Sequence, residues 1–316
     1  MKTRLKRLHR ETEWGFALLS PVVRFREWIR RQGYLSDRAK ISRDFQQVFG
    51  RPLDWAAPRT LNEKLNWMKR YYRNPLQKIA VDKLAVRDHV AARVGEEFLI
   101  PLYAVFERAR DIRLDALADA FVLKVNHGSG QNWIVRDKSK VDAAALCRQF
   151  RTWMAVGQYA ATREWPYQGM PPRILAEALL LDDVGRLPMD YKFHCFAGRV
   201  ETIQVDMDRE EAHRRNFYSP DWCLQPFVWS EWEAGAPLWP NGAEVPPPAA
   251  LPEMIRLAET LSADFPYARI DLYALRNRIY FGEITFYHGS GFEHFSPPEW
   301  DLAFGERLAL PSAATP

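Results

Sequence analysis

Near its C-terminus the chain reads ARIDLYALRNRIYFGEITFYHGSG, residues 268–291, and this stretch determines what fold the sequence can adopt. Two runs of alternating apolar and polar residues flank Arg276 and Asn277, a pattern that predicts two antiparallel strands joined by a tight turn. Because side chains alternate along a strand, each strand should carry three residues on one face: Arg269, Asp271 and Tyr273 in the first, and Phe281, Glu283 and Thr285 in the second. The pairing should place Asp271 beside Glu283.

Two carboxylates and an arginine on otherwise apolar strands cost free energy to bury unless a counter-charge compensates them. Two acids at neighbouring strand positions can supply the protein ligands of a Mg²⁺ site, and water and substrate phosphates supply the other ligands. An ion pair of Arg269 with Asp271 or with Glu283 would compensate the same charges. The strand pair alone leaves both explanations open, and Lys124 with the loop that follows it favours the metal site.

That loop is HGSGQN, residues 127–132, between the apolar run FVLKV (121–125) and a second run at 133–135. Two such runs joined by small residues predict a β-hairpin. Glycine and serine allow several backbone N–H groups to point at an anion, with Lys124 on the strand beside them. The loop is therefore a candidate phosphate-binding lid, and an ordinary flexible turn is the alternative.

The composition describes a folded globular protein: 316 residues, of which 47% are hydrophobic and 27% charged. The net charge of +4 hides a basic arm, because the first 40 residues contain 11 basic and 4 acidic side chains. A nearly neutral remainder argues against a protein that coats nucleic acid. The three cysteines, Cys147, Cys195 and Cys223, are too widely spaced for a disulfide framework or a zinc knuckle, and favour a cytoplasmic location.

Residues 1–58 are expected to form a basic helical N-terminal arm. Its apolar stretch at 14–23 is too short to span a bilayer. The arm could lie on the inner face of the membrane, with its aromatic residues at the headgroups, or it could pack on the body of the protein. The sequence leaves these alternatives open.

Periodicity predicts most of the other elements. Thr60 and Glu63 form a capping box that begins a helix over 60–70. Further helices are expected at 81–94, 142–156 and 252–265, and strands at 98–106, 171–181, 190–196 and 200–205. Residues 222–248, rich in tryptophan and proline, should form a loop whose tryptophans either pack in the core or stack on sugars.

The order of several sequence blocks is similar to that of the TupA-like branch of the ATP-grasp proteins. These blocks are TLNEKLNW, VDKLAVRDHV, FVLKVNHGSG, REWPY, ILAEALL, DYKFHCFAG, MDREEAHRRNFY, ARIDLY and YFGEITFYHGSG, over about residues 59–310. The resemblance implies an α+β chain with the ATP-grasp fold, in which two α+β lobes hold ATP between them. The implied domains are the arm (1–58), a reduced N-terminal lobe (59–115), a small lobe with the phosphate lid (116–175) and a large C-terminal lobe with the metal site (176–316).

The resemblance also implies a nucleotide site. Its residues are Lys83, Lys124, His127, Gly128, Ser129, Gly130, Glu177, Ala178, Leu179, Asp190 and Lys192. Lys83 and Lys124 resemble the lysines that hold the ATP phosphates, beneath the lid. Glu177 and the two residues after it resemble the adenine-binding hinge. Asp190 resembles the acid that reaches the ribose, and Lys192 a phosphate contact.

Asp271 and Glu283 resemble the family's magnesium ligands. Thr285 stands where many relatives carry an asparagine ligand, a departure from the pattern. Arg269 resembles the arginine that steadies the transferred phosphoryl group and, with Lys124, is an implied catalytic residue. Arg209 belongs to a DR pair of the family, and the implied acceptor-binding residues are Arg209, Arg214, Gly289, Ser290 and Gly291.

The implied function is an ATP- and Mg²⁺-dependent carboxylate–amine ligase, with Mn²⁺ as an alternative ion. It would act through an acyl phosphate and join an amino acid or sugar acid to a cell-surface polysaccharide or its precursor. The partners are thus ATP and anionic sugar or amino-acid substrates, with no nucleic acid. A sugar kinase with the same ATP site, and a glycosyltransferase or sugar-binding protein, are the alternatives, and the oligomeric state is left open.

Overall fold

A computed structural model describes residue 29 and residues 35–155 and 157–312. Most of the expected N-terminal arm, residues 1–28 and 30–34, lies outside the described residues, and its described part contains helix α1 (Asp37–Phe49). The chain divides into two compact units. The first unit comprises residues 82–84 and 101–179 with the described residues up to 40, and the second comprises 41–81, 85–100 and 180–312. Segment 41–81 therefore clusters with the C-terminal sheet, whereas the ranges from the resemblance place 59–81 in a separate lobe.

The first unit is built on a four-stranded antiparallel sheet in the order β1-β4-β2-β3. Its elements are β1 (Leu102–Phe106), β2 (Phe121–Val125), β3 (Asn132–Val135), α5 (Ala143–Ala155), α6 (Gln158–Thr162) and β4 (Ile174–Ala178). One sheet face packs with Leu146 and Phe150 of α5 in a buried core. The hairpin expected around HGSGQN is confirmed, because β2 and β3 pair from Phe121–Val135 to Lys124–Asn132.

The strands of the second unit are β5 (Asp190–Phe196), β6 (Arg199–Met207), β7 (Arg214–Tyr218), β8 (Val228–Ser230), β9 (Trp232–Glu233), β10 (Ala236–Pro237), β11 (Tyr267–Leu275), β12 (Arg278–Thr285) and β13 (His294–Ser296). Five of them form an antiparallel sheet in the order β12-β11-β5-β6-β7. The helices of this unit are α2 (Leu61–Tyr71), α3 (Pro75–Val81), α4 (Val86–Arg93), α7 (Leu251–Ser262) and α8 (Glu299–Arg307). No helix within the described ranges is long and apolar enough to cross a bilayer.

The hairpin of β11 and β12 is confirmed, and Asp271 pairs directly with Glu283. The turn residues Arg276 and Asn277 have φ of 49° and 60°, the left-handed backbone of the two-residue turns that connect twisted strands. One expectation is wrong: Phe281 does not share the face of Glu283. A β-bulge at Gly282 shifts the register, so that Phe281 pairs with Leu272 and is buried.

The helix expected at 81–94 is also wrong as a single element. Helix α3 ends at Val81, and α4 begins at Val86. The Asp82 carboxylate accepts a hydrogen bond from the Leu84 amide (2.9 Å) and another from the Asn126 side chain (3.1 Å). An aspartate that bonds the backbone two residues on forms a turn that competes with the helix.

The tryptophan-rich segment 222–248 contains three short strands, β8 to β10, and is otherwise irregular. Trp229 is fully buried, and its ring stacks on Phe295 at 4.5 Å between centroids. For Trp229, core packing rather than sugar stacking is therefore what the structure shows.

Helix α2 begins with the expected capping box, in which Thr60 and Glu63 bond each other's backbone amides. Its start packs closely on α8, because a Cβ atom at Gly305 would lie 2.1 Å from the Arg59 carbonyl oxygen. Such a distance leaves no room for any side chain larger than hydrogen. This contact joins the segment before the first sheet to the end of the chain.

We predict that Gly305→Ala destabilises the protein. Alanine is usually preferred to glycine within a helix by about 1 kcal/mol, but overpacking typically costs about 1–3 kcal/mol, so the sign should reverse. The control is Gly157→Ala at the N-cap of α6, where nothing lies within 4 Å of the added Cβ atom, so that only the poorer capping by alanine should count. Urea denaturation should show a clearly larger loss in the free energy of unfolding for Gly305→Ala than for the control. A more stable Gly305→Ala protein would contradict the close packing of α2 on α8.

Candidate active site

The five-stranded sheet has one apolar and one polar face. The apolar face, which includes the buried Phe193, Ile203 and Ile270, packs against α7. The polar face carries side chains from all five strands: Glu283 and Thr285, Arg269, Asp271 and Tyr273, Asp190, Lys192 and His194, Gln204 and Asp206, and Arg215. Side-chain alternation in paired strands therefore gathers the candidate residues of three sequence blocks on one surface.

Arg269 is the centre of this surface. Its guanidinium donates two hydrogen bonds of 2.7 Å to the two oxygens of Asp271, and one of 3.2 Å to the Thr285 hydroxyl. It also lies 3.4 Å from Glu283 Oε1. The ion pairs considered from sequence are thus present. The two carboxylates differ in their exposure to solvent: the side chain of Glu283 is 31% exposed and that of Asp271 only 4%.

Burial and charge compete at Asp271. Burial raises the pKa of its carboxyl group, the cations of Arg269 and Lys192 oppose this effect, and the acids Asp190 and Glu283 add to it. The balance leaves the pKa above its ordinary value, mainly because of burial and also because the neighbouring carboxylates repel a further negative charge. An additional cation at this position would relieve that repulsion.

The donor set fits Mg²⁺. Asp271, Glu283 and Thr285 offer only oxygen atoms, and a carboxylate oxygen that accepts a hydrogen bond keeps a second lone pair for a ligand. Over the described part of the chain, no group of three or more His, Cys, Asp or Glu side chains forms a ready-made metal cage. Two carboxylates are nevertheless sufficient, because Mg²⁺ usually retains water and substrate phosphates as its other ligands.

Lys192 lies between three carboxylates. It forms an ion pair with Asp190 and lies 3.3 Å from Asp271 and 3.5 Å from Asp206. Burial by itself lowers the pKa of this lysine, but the three acids together raise it above its ordinary value. Lys192 therefore remains an ammonium ion in the middle of the polar face.

Asp190 retains one unused atom. Lys192 and Arg209 bind its Oδ2, the latter at 3.2 Å, whereas its buried Oδ1 has no hydrogen-bond partner among the described residues. The neighbouring residues Met189 and Tyr191 line a cavity of 330 Å³, together with Arg209. A buried acceptor without a partner is suited to a hydroxyl or amine of a ligand.

A second buried network was missed by the sequence analysis. Arg215 donates to Asp206 (2.9 Å) and to Glu293 (3.0 Å), while His288 accepts from Arg269 (2.7 Å) and lies 3.0 Å from Glu293. Burial raises the pKa of Glu293 despite Arg215 and Arg269, and burial and Arg269 hold the pKa of His288 well below its ordinary value. The available signal was the alternation of β7, which puts Arg215 on the face of Asp206.

The residues predicted to bind the acceptor do not all lie together. Arg209 contacts Asp190 and the carbonyl of Pro188 on the polar side. Arg214 lies at the exposed start of β7, one residue out of phase with Arg215. Gly289, Ser290 and Gly291 form a tight turn after β12, with φ of 52°, 52° and 66°. Their roles stay predictions.

In the first unit, Lys124 and Glu177 are partners on adjacent strands, with 2.5 Å between Nζ and Oε2. The Ala178 amide donates to the Pro101 carbonyl at 3.0 Å, so this N–H group of the predicted hinge is used within the fold. Leu179 directly follows β4. The same sheet face presents the exposed apolar side chains of Tyr103, Val105 and Ile134. A cation and an acid thus lie on a largely apolar strand surface.

The lid residues lie where the sequence predicted a loop. Lys83 donates to the Gly128 carbonyl at 3.2 Å, so this lysine is bound to the lid. His127 is buried, Ser129 and Gly130 are exposed, and Gly130 has φ of 67°. Two of the lid's small residues are thus open to solvent, next to a lysine.

Asn126 organises this region and was not singled out from sequence. It is fully buried, and its side chain bonds Asp82 (3.1 Å), the Pro171 carbonyl (3.1 Å) and the Arg173 amide (2.8 Å). One asparagine therefore ties the Asp82 turn, the lid and the segment before β4 together. Its position at the end of an apolar strand was the only available signal.

The sequence comparison gives the family. Residues 63–309 match the model of the TupA-like ATPgrasp family, which is most of the 316 residues. The chain therefore belongs to the TupA-like ATP-grasp family and has the ATP-grasp fold. No curated protein matches the chain in sequence.

Solved structures resemble the chain at low sequence identity. D-alanine–D-alanine ligase from Bacillus anthracis, in complex with ATP, is 16% identical over 66% of this chain and 55% of the ligase, with a TM-score of 0.38. N5-carboxyaminoimidazole ribonucleotide synthetase from Thermus thermophilus is 12% identical over 68% and 48%, with a TM-score of 0.38. D-alanine–D-alanine ligase from Helicobacter pylori is 13% identical over 74% and 60%, with a TM-score of 0.35. The match thus spans 48–60% of the length of these proteins.

His194 provides a pH test of the polar face. It is fully buried between the Tyr267 hydroxyl (2.9 Å) and Gln204 (3.2 Å), and burial, with His288 and Arg269, holds its pKa well below the ordinary value. The unfolded chain therefore binds a proton near pH 6.5 that the folded chain does not bind, so stability falls as the pH falls.

We predict that the free energy of unfolding of the wild-type protein falls between pH 7.5 and 5.5 by about 1.4 kcal/mol more than that of His194→Gln. The variant has no titrating group at this position but keeps a polar side chain. Urea denaturation of both proteins at the two pH values measures the difference. Equal losses would mean that His194 has an ordinary pKa in the folded protein.

Proposed function

We propose that the chain is an ATP- and Mg²⁺-dependent carboxylate–amine ligase. The observation that carries the proposal is the direct pairing of Asp271 with Glu283 on adjacent strands, in contact with Arg269 and Thr285. Acids and an arginine in this arrangement can hold a metal-bound polyphosphate and stabilise charge that develops on a transferred phosphoryl group. The family of the chain supports ATP as that polyphosphate.

Asp271, Glu283 and Thr285 would hold the metal ion. When bound, Mg²⁺ neutralises phosphate charge and orients the terminal phosphoryl group. Arg269 keeps the Asp271 carboxylate in place with two hydrogen bonds and leaves Glu283 partly exposed. We expect Glu283 to be the acid on which metal binding depends most.

The first unit supplies the groups for the nucleotide. We propose that Lys83, Lys124 and the exposed lid residues Ser129 and Gly130 bind the phosphates, because a lysine and backbone N–H groups of small residues suit anions. The apolar face around the Lys124–Glu177 pair suits a purine base. In the second unit, the unused oxygen of Asp190 is the proposed acceptor for a ribose hydroxyl, with Lys192 beside it.

The proposed reaction has two steps. A substrate carboxylate oxygen attacks the γ-phosphorus of ATP, the bond to the β,γ-bridging oxygen breaks, and ADP leaves with its electron pair. An amine nitrogen then attacks the acyl carbon, phosphate leaves, and the nitrogen loses a proton to give the amide. In the proposed reaction, Arg269 would stabilise negative charge on the transferred phosphoryl group and Lys124 would neutralise phosphate charge, and each effect would lower the barrier of the first step.

For the substrates, we propose an amino acid or sugar acid and a cell-surface polysaccharide or its precursor, as the family resemblance implies. Arg209, Arg214 and the turn at Gly289, Ser290 and Gly291 are the proposed acceptor contacts. The basic arm would keep the enzyme near the anionic inner face of the membrane, where lipid-linked precursors are exposed.

We predict that Lys124→Ala and Glu283→Gln each lower ADP release from Mg·ATP by about 10²-fold or more, because each removes a preorganised charge. The matched controls are Lys140→Ala, whose side chain is 81% exposed beside Asp137, and Glu299→Gln at the exposed start of α8. Melting temperatures establish that the variants fold. Normal turnover in either site variant would contradict the site.

The products distinguish a ligase from other ATP-dependent enzymes. With a matching acid and amine, we expect ADP, free phosphate and an amide in equal amounts, identified by mass spectrometry after a screen of sugar acids and amino acids against amines. A stable phosphosugar without free phosphate would show a kinase instead. Binding of nucleotide sugars without binding of Mg·ATP in a thermal-shift assay would contradict both activities.

A further inference from the structure

Helix α2 carries three fully or almost fully buried polar side chains on one face: Asn62, Asn66 and Lys69, which are 1%, 0% and 0% exposed. They occur at intervals of four and three residues, so they form a continuous line along the helix, called here the α2 stripe. Amides and an ammonium ion are costly to bury unless they are hydrogen-bonded. The neighbouring face of the helix already buries Leu61, Leu65 and Met68 in the core. The three polar residues therefore add no apolar contacts to that core.

The α2 stripe binds the backbone of one short segment. Asn62 donates to the Glu293 carbonyl (2.9 Å), Asn66 to the Gly291 carbonyl (2.7 Å) and Lys69 to the Ser290 carbonyl (2.5 Å). Lys69 also donates to the Asn66 side chain (3.0 Å), and its ammonium lies 4.3 Å above the ring of Phe292. Three side chains of one helix thus hold three carbonyls within four residues of the turn.

This turn has an unfavourable backbone. Gly289, Ser290 and Gly291 have consecutive positive φ values, and Ser290 is an L-residue in a conformation that costs it free energy. A Cβ atom at Gly291 would lie 2.8 Å from Asn66 Nδ2. The turn is therefore pressed against α2, and the bonds from the α2 stripe offset the strain.

The same turn carries two side chains of the candidate active site. His288, at its start, accepts a hydrogen bond from Arg269, and Glu293, just after it, accepts one from Arg215. Arg269 in turn holds both oxygens of Asp271. The backbone that the α2 stripe holds thus follows closely after His288 and includes Glu293.

We propose that Asn62, Asn66 and Lys69 are positioning residues that hold the 288–293 turn in its left-handed form and so orient Arg269 for phosphoryl transfer. The inference rests on the proposed function. It assigns a role to Asn62 and Asn66 of the TLNEKLNW block, which contains no candidate catalytic residue, and to Lys69 just after it. The α2 stripe touches no reacting atom. A shift of the turn would move His288, and a misplacement of about 1 Å at a reacting group can lower the rate by about 10²-fold.

The test compares two lysines of the same helix in the full chain. Lys69→Met removes the ammonium with little change in shape, whereas the control Lys64→Met removes a lysine that donates to the Gly305 and Leu308 carbonyls at 2.7 Å each. Asn66→Asp is a second variant, which replaces the donor to Gly291 by an oxygen that repels it. Amide hydrogen exchange of the 288–293 segment and the kinetics of ADP release from Mg·ATP, with mixed amino acids and sugar acids, are measured for all four proteins.

For Lys69→Met and Asn66→Asp we expect at least about tenfold faster exchange in 288–293, and a kcat lower by about 10²-fold with a nearly unchanged KM for ATP. Lys64→Met should leave both quantities near wild type, whatever its melting temperature. Loss of stability without a change in exchange or kcat, or equal effects of both lysines, would overturn the proposal. If the wild-type chain neither binds nor turns over Mg·ATP, the proposed function fails, while unchanged exchange in Lys69→Met would still overturn the positioning role.

Discussion

The double hydrogen bond between Arg269 and Asp271 is the interaction on which the polar face of the second unit depends. Asp271 is buried on β11 and pairs with Glu283 on one neighbouring strand and with Lys192 on the other. Without a partner, a buried carboxylate would be protonated, or its charge would destabilise the folded protein. Arg269 supplies that partner to both oxygens of Asp271, while Glu283 stays partly exposed.

Around this pair, the protein uses buried polar side chains to hold the backbone as well as to carry charge. Asn126 ties the lid to the Asp82 turn in the first unit, and the α2 stripe holds the 288–293 turn in the second. Both regions contain glycines with positive φ. Because glycine allows several backbone conformations, the local sequence does not by itself select the conformation of either region. Long-range hydrogen bonds therefore select one conformation out of several that glycine allows.

Much of the fold could be predicted because its signals are local. The alternation around Asp271 and Glu283 gave the hairpin and their pairing, and the spacing of Thr60 and Glu63 gave the start of α2. The predictions that were wrong depended on single residues with non-local partners. Gly282 introduces a bulge that moves Phe281 to the other face, and Asp82, bonded to Asn126, interrupts the helix expected at 81–94.

The sequence by itself determined the family, the order of most elements and the pairing of Asp271 with Glu283, because hydrophobic periodicity and block order are properties of neighbours along the chain. Only the tertiary structure decided that Arg215, Glu293 and His288 join Arg269 in one buried network, and that Asn66 and Lys69 of α2 reach the turn more than 200 residues later. The physical reason is that a buried charge or amide must find its partner in space. The position of that partner depends on the packing of the whole unit.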